Sequence, residues 1–120
     1  MIIVLSPAKT LDYSFSEEGM DFSVPPFLTK SKKLVSNLKK LNKSELSSLM
    51  GVSEKISALN HERFQNWSQA RKPSAVAKQA GFVFKGDVYQ GLEFEKLSKK
   101  EINFAQKHLR ILSGLYGVLK

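Results

Sequence analysis

Apolar positions along this chain fall into runs whose spacing predicts a mixed α/β fold. Ile2 to Leu5 is a continuous apolar run closed by Ser6-Pro7, and it predicts a buried strand. Asp12 to Pro26 is polar, carries Glu17, Glu18 and Asp21, and ends in Pro25-Pro26. That stretch predicts a surface loop, punctuated by Tyr13, Phe15 and Phe22. From Phe27 the period lengthens. Phe27, Leu34, Val35, Leu38 and Leu41 share one helical arc with every lysine off it, so a helix is expected to about Leu41. Leu46 and Leu49 then give one short helix an apolar edge, and Ile56, Leu59, Phe64 and Trp67 give one to the next. Between them Met50-Gly51-Val52-Ser53 has room only for a turn.

Past the break at Pro73, Ser74 is expected to cap a short Ala-rich helix that Gly81 closes. Phe82 to Lys85 reads as a second strand, ended by Gly86-Asp87. Ser98 and Glu101 stand at the reciprocal positions of a capping box, which starts a last helix running to Gly114. Ile102, Ala105, Leu109 and Leu112 form one stripe on it, and Phe104 and Ile111 a second, which predicts a central helix. His108 falls between the stripes and is expected to be a hydrogen-bonded interior histidine. Leu115 to Leu119 reads as another strand. The fold class expected is therefore α/β, a small mixed sheet with packed helices.

The segment 44–67 has the layout of a helix-hairpin-helix, a module that grips a nucleic-acid phosphate with backbone amides. Gly51 suits a turn angle closed to most residues, and Ser53 is a good N-cap with Glu54 in the following turn. Amides at such a helix start attract anions, and Lys55 adds a charge beside them. Met50, Gly51, Val52, Ser53 and Lys55 are the DNA-binding candidates. Met50 stands where proline is common in such hairpins, and Ser53 where a second glycine usually sits. The competing reading is an αα-corner whose glycine serves only the turn.

Composition sharpens this picture. A chain of 120 residues is one domain's worth, with 42% hydrophobic and 25% charged residues, the balance of a soluble globular protein. It has no cysteine, which removes disulfides, thiol nucleophiles and Cys-ligated zinc. His61 and His108 are its only imidazoles, so no metal site and no cofactor are expected. No apolar run approaches a membrane span and the start lacks the features of a secretory signal, so a cytoplasmic protein is expected.

The net charge of +8 is unevenly placed. Six lysines and no acid lie between Leu28 and Lys43. On a helix this is either a solvated face or a surface that draws DNA or RNA towards the hairpin. Sixteen lysines to three arginines favour attraction to phosphates over reading of bases. Any duplex DNA partner is thus expected to be held in a sequence-tolerant way.

Three polar segments could carry other chemistry. Ser6-Pro7-Ala8-Lys9-Thr10 follows the first strand, but lacks the glycines of a phosphate-binding loop. Lys85-Gly86-Asp87-Val88-Tyr89 follows the second strand. If both strands share a sheet and run parallel, Lys9 and Lys85 converge at one end of it and suit a small anionic ligand. Arg110, placed with Lys107 on the polar arc of the last helix, is a possible phosphate or carboxylate clamp. Lys9, Lys85, Asp87, Tyr89 and Arg110 are therefore the pocket candidates of an alternative reading, an enzyme acting on a small anionic substrate. They form no recognisable nucleophile–base–acid set, and they name no reaction.

Three segments, Ser6 to Tyr13, Phe84 to Leu92 and His108 to Leu119, resemble in sequence, order and spacing the signature segments of the bacterial YaaA family of peroxide-stress proteins. The hairpin region between Leu49 and Phe64 is similar as well, and the resemblance runs from Met1 to Lys120. Relatives are roughly twice this length, so the chain is expected to be the amino-terminal half of a larger single domain. The resemblance implies a cytoplasmic protein of the hydrogen peroxide response that lowers free intracellular iron and limits damage to DNA and protein. It also implies a mixed α/β fold with a basic cleft and DNA binding through the helix-hairpin-helix.

Overall fold

The computed structural model describes residues 1–15 and 20–120. Glu17 and Glu18 of the expected loop lie outside the described residues. In chain order the elements are strand β1 (Ile3–Leu5), strand β2 (Thr10–Leu11), helices α1 (Leu28–Leu38), α2 (Lys43–Met50), α3 (Glu54–Asn66) and α4 (Ala80–Val83), strand β3 (Phe84–Lys85), helix α5 (Asp87–Leu92), a 3-10 turn at Phe94–Lys96, helix α6 (Lys99–His108), and strands β4 (Leu109–Ser113) and β5 (Gly117–Leu119). The mixed α/β expectation holds. The chain divides into two compact units, Phe27–Gln69 and the combination of Met1–Pro26 with Ala70–Lys120.

The second of these is built on a three-stranded sheet of order β1-β4-β5. β1 pairs parallel with β4 through Ile3↔Leu109, Val4↔Arg110 and Leu5↔Ile111, and β5 returns antiparallel through Ile111↔Leu119 and Leu112↔Val118. Side chains alternate across such a sheet. One face carries Leu5, Ile111 and Leu119, packed with Tyr89, Ala8, Ala80, Phe84 and Tyr116 as the core of the unit. The other face carries Val4, Leu112 and Val118, all exposed. The first strand therefore forms where it is expected, but as an edge strand with Ile3 and Val4 in solvent, not as a buried one.

Three further expectations are corrected. Ser74 does not cap a helix: its N–H donates to the Ala77 carbonyl at 2.7 Å across a tight turn, and helix α4 begins only at Ala80. Gly81 sits inside that helix because the Phe94 ring covers it; a Cβ there would stand 2.8–2.9 Å from three ring carbons. Phe82 and Val83 belong to α4, so the second strand shrinks to Phe84–Lys85, and it pairs antiparallel with β2 in a separate two-stranded sheet. Lastly, α6 stops at His108 instead of Gly114. Leu109–Ser113 satisfies strand periodicity as well as helical periodicity, and pairing with β1 decides between them. No residue of α6 is buried and Phe104 is 60% exposed, so α6 is a surface helix. His108 is half-buried, hydrogen-bonded through Nδ1 to the Met1 carbonyl oxygen (2.9 Å) and stacked on Phe104.

The capping box at α6 is present: Ser98 Oγ accepts from the Glu101 N–H, and the Glu101 carboxylate accepts from the Ser98 N–H at 2.7 Å. Hydrogen bonds from Ser98 hold the Glu101 carboxyl below its ordinary value of 4.5. A depressed carboxyl stabilises the fold above its unfolded value, and that contribution disappears as pH falls through the lower, folded one. The first turn of α6 is accordingly expected to fray in acid below pH 4.5. In Glu101→Gln this acid-dependent fraying should be absent, a difference visible in the pH dependence of amide exchange at Lys99–Ile102.

Phe27–Gln69 is a three-helix unit. α1 buries Leu28, Ser31 and Val35, with Leu38 and Leu41 half-buried, while Phe27 and Leu34 of the expected arc are exposed. Lys30, Lys32, Lys33, Lys40 and Lys43 face solvent. Lys39 is half-buried; its ammonium donates to the Trp67 carbonyl at 3.3 Å, and its own carbonyl accepts from Gln65 Nε2. α2 starts on a second capping box, Asn42 with Glu45, and buries Leu46 completely. The buried Ser57 hydroxyl donates to the Lys43 carbonyl and ties the start of α3 to the start of α2.

Candidate functional site

The turn between α2 and α3 is built on Gly51, whose φ of 62° and ψ of 40° lie in the left-handed region. Both the Gly51 and Val52 amides donate to the Ser47 carbonyl, and the Ser47 hydroxyl donates to the Val52 carbonyl at 2.7 Å. Ser53 caps α3 as expected, its Oγ accepting from the Ile56 N–H at 3.4 Å. The turn is thus closed by its own hydrogen bonds. Backbone donors towards an anion come instead from the first turn of α3, where Ser53, Glu54 and Lys55 are exposed. Met50 and Gly51 are exposed beside them, and Val52 is half-buried. Between Phe27 and Gln69 eight Lys and Arg face three Glu, so this 43-residue unit carries +5 of the chain's +8.

The pocket candidates divide. Thr10 pairs directly with Lys85, so the antiparallel β2–β3 contact, rather than a shared parallel sheet, brings Lys9 beside Gly86-Asp87. Gly86 has φ 136°, an angle closed to side-chain-bearing residues, and Ala8 lies 3.9 Å from where a Cβ would be. Lys9 and Asp87 are exposed there. Lys85 is half-buried and forms an ion pair with Glu95. Asp12 lies nearby; hydrogen bonds from Ser14 lower its carboxyl, with Lys85 and Lys78 adding to the effect.

The other two candidates point elsewhere. Tyr89 is buried in the core and donates its hydroxyl to the Ser6 carbonyl at 2.6 Å; burial pushes its pKa up. Arg110 lies on β4, not on a helix. Its guanidinium donates to the carbonyls of Leu109 (2.6 Å), Gln106 (3.0 Å) and Lys107 (3.3 Å), capping the end of α6. Sequence reasoning missed Glu95, Lys78 and Asn42. Only Asn42 had a local signal, the Asn-x-x-Glu spacing of a capping box. Among the described residues no group of three or more His, Asp or Glu stands close enough to hold a metal ion, and no helix is long and apolar enough to cross a membrane.

All three signature segments contribute to the same core. Ala8, Phe84, Tyr89, Ile111, Tyr116 and Leu119 pack together, so their common order in sequence has a common structural use. A family model described as peroxide stress protein YaaA matches residues 1–120. The chain belongs to the YaaA family. In this YaaA-family protein the signature segments fall in the Met1–Pro26 and Ala70–Lys120 unit, where they set the sheet register and the strand-end turns. The lysine-rich helix and the α2–α3 turn form the other unit.

Proposed function

We propose that this YaaA-family chain acts in the cytoplasmic response to hydrogen peroxide by binding duplex DNA without sequence preference. The grip is the start of α3, presented by the Gly51 turn and reinforced by Lys55. Lys30, Lys32, Lys33, Lys40 and Lys43 supply longer-range attraction to phosphates. The observation that carries this reading is the excess of +5 on 43 residues around an exposed, Ser-capped helix start. Lysines act as point charges here, which suits backbone contacts rather than base reading. Limiting of free iron belongs to the same proposal and rests on the family alone.

The test is fluorescence anisotropy with unrelated duplexes. Lys55→Glu should weaken binding several-fold on every sequence alike. Gly51→Val finds open space around its side chain but must hold a left-handed backbone, a strain of about 1–3 kcal/mol that distorts the turn. It too should bind less tightly. Unchanged affinity in both variants, with helix content intact by circular dichroism, would reduce α2 and α3 to packing elements.

A further inference from the structure

We propose that Lys78 is a positioning residue for the turn that brings Lys9 beside Asp87, acting from the far end of the segment that carries Lys9. That segment, Ser6 to Phe15, pairs with β3 only through Thr10↔Lys85 and Leu11↔Phe84. One further bond, from the Asp12 N–H to the Val83 carbonyl at 2.9 Å, extends the ladder. So short a two-stranded contact is marginal in water by itself. Its place has to be set from outside the ladder.

Two side chains set it, one towards each end. At the start, the buried Tyr89 donates its hydroxyl to the Ser6 carbonyl at 2.6 Å. At the finish, the Lys78 ammonium donates to the carbonyls of Tyr13 (2.5 Å) and Phe15 (2.7 Å). The Phe15 ring stacks on Phe82 with centroids 5.0 Å apart, and the buried Phe82 in turn meets Phe94 edge-on. Lys9 is exposed between these two ties, next to the point where Ala8 lies against Gly86.

The ties differ in kind. Tyr89 is a member of the core of its unit. Lys78 is half-buried just ahead of α4, and it holds two backbone carbonyls through its charge. Hydrogen bonds from an ammonium are stronger than neutral ones, and they need the charge in place. Lys85, the other cation that acts on Asp12, is paired with Glu95 and does not take over this role. Removing the charge of Lys78 therefore releases one end of the segment and lets Lys9 move from Asp87, while the β1-β4-β5 sheet stays whole.

The test uses the whole chain with Lys78→Met, which keeps an apolar stem without the ammonium, and Lys78→Arg, which keeps the charge. In Lys78→Met, amide exchange at Asp12 should accelerate roughly tenfold, the scale of a lost hydrogen bond to a charged group. The amide signals of Gly86 and Asp87, which Lys78 does not touch, should shift as well. Lys78→Arg should restore most of both, and exchange within Leu109–Ser113 should stay unchanged in both variants. The proposal is overturned if Asp12 in Lys78→Met exchanges within about twofold of the parent chain, or if Lys78→Arg behaves like Lys78→Met. Acceleration confined to Asp12, with Gly86 and Asp87 unmoved, would overturn it because the tie would not reach the turn. Equal acceleration throughout β4 would overturn it in favour of a general stabilising role.

Discussion

A fourfold rise in salt around 0.1 M is expected to weaken binding of duplex DNA by roughly forty- to five-hundred-fold. Each phosphate neutralised contributes a slope of about −0.9 in log affinity against log salt, and the α3 start with part of α1 can reach roughly three to five phosphates. Lys39 is not counted among them, because its ammonium is engaged by the Trp67 carbonyl. The measurement is a titration of unrelated duplexes at several salt concentrations. Affinity at the lowest salt should be micromolar or weaker, and equal across sequences within a small factor. Tight binding that ignored salt, or that selected one sequence, would contradict a phosphate grip.

Leu46→Ala should cost about 2–5 kcal/mol in the three-helix unit, the usual range for emptying a buried leucine site. Leu46 is completely buried, in a unit whose other fully buried residues are Val35 and the two small serines Ser31 and Ser57. So short a unit has little spare stability to absorb the loss. Amide exchange across α2 and α3 should accelerate by roughly thirty- to several-thousand-fold, at about 1.4 kcal/mol per tenfold. DNA binding should fall with it, since the α3 start is held through Ser57 and the Ser47–Val52 bonds. Acceleration below about threefold would show that α2 is not held to the unit through Leu46.

What the sequence made legible was local. Ser53, Ser98 with Glu101, and Gly51 all occupy the caps and the turn that their types predicted, because a cap depends on residues three or four positions away. The end of α6 was not legible. Leu109 to Ser113 fits two periods, and the strand that selects one of them lies at the opposite end of the sequence. The same holds for the candidate site. Lys9, Lys85 and Asp87 could be grouped from their positions after apolar runs, but the pairing that unites them joins β2 with β3, and β2 is only two residues long. Tyr89 and Arg110 are polar in sequence and structural in place, because each finds a backbone carbonyl that sequence spacing does not reveal. The Gly81 contact with Phe94 has the same character: a ring thirteen residues away sets the need for glycine.

The pairing of β1 with β4 sets a timetable for synthesis. β1 is completed only by residues added more than a hundred positions later. At roughly 5–20 residues per second, Ile3–Leu5 waits on the order of five to twenty seconds for its partner. Phe27–Gln69, whose α2–α3 and α1–α3 contacts join helices within its own span, emerges during that interval. Birth order therefore runs against sequence order here: Phe27–Gln69 matures before β1 is paired, and the apolar Ile2–Leu5 run is the part that chaperones have longest to meet.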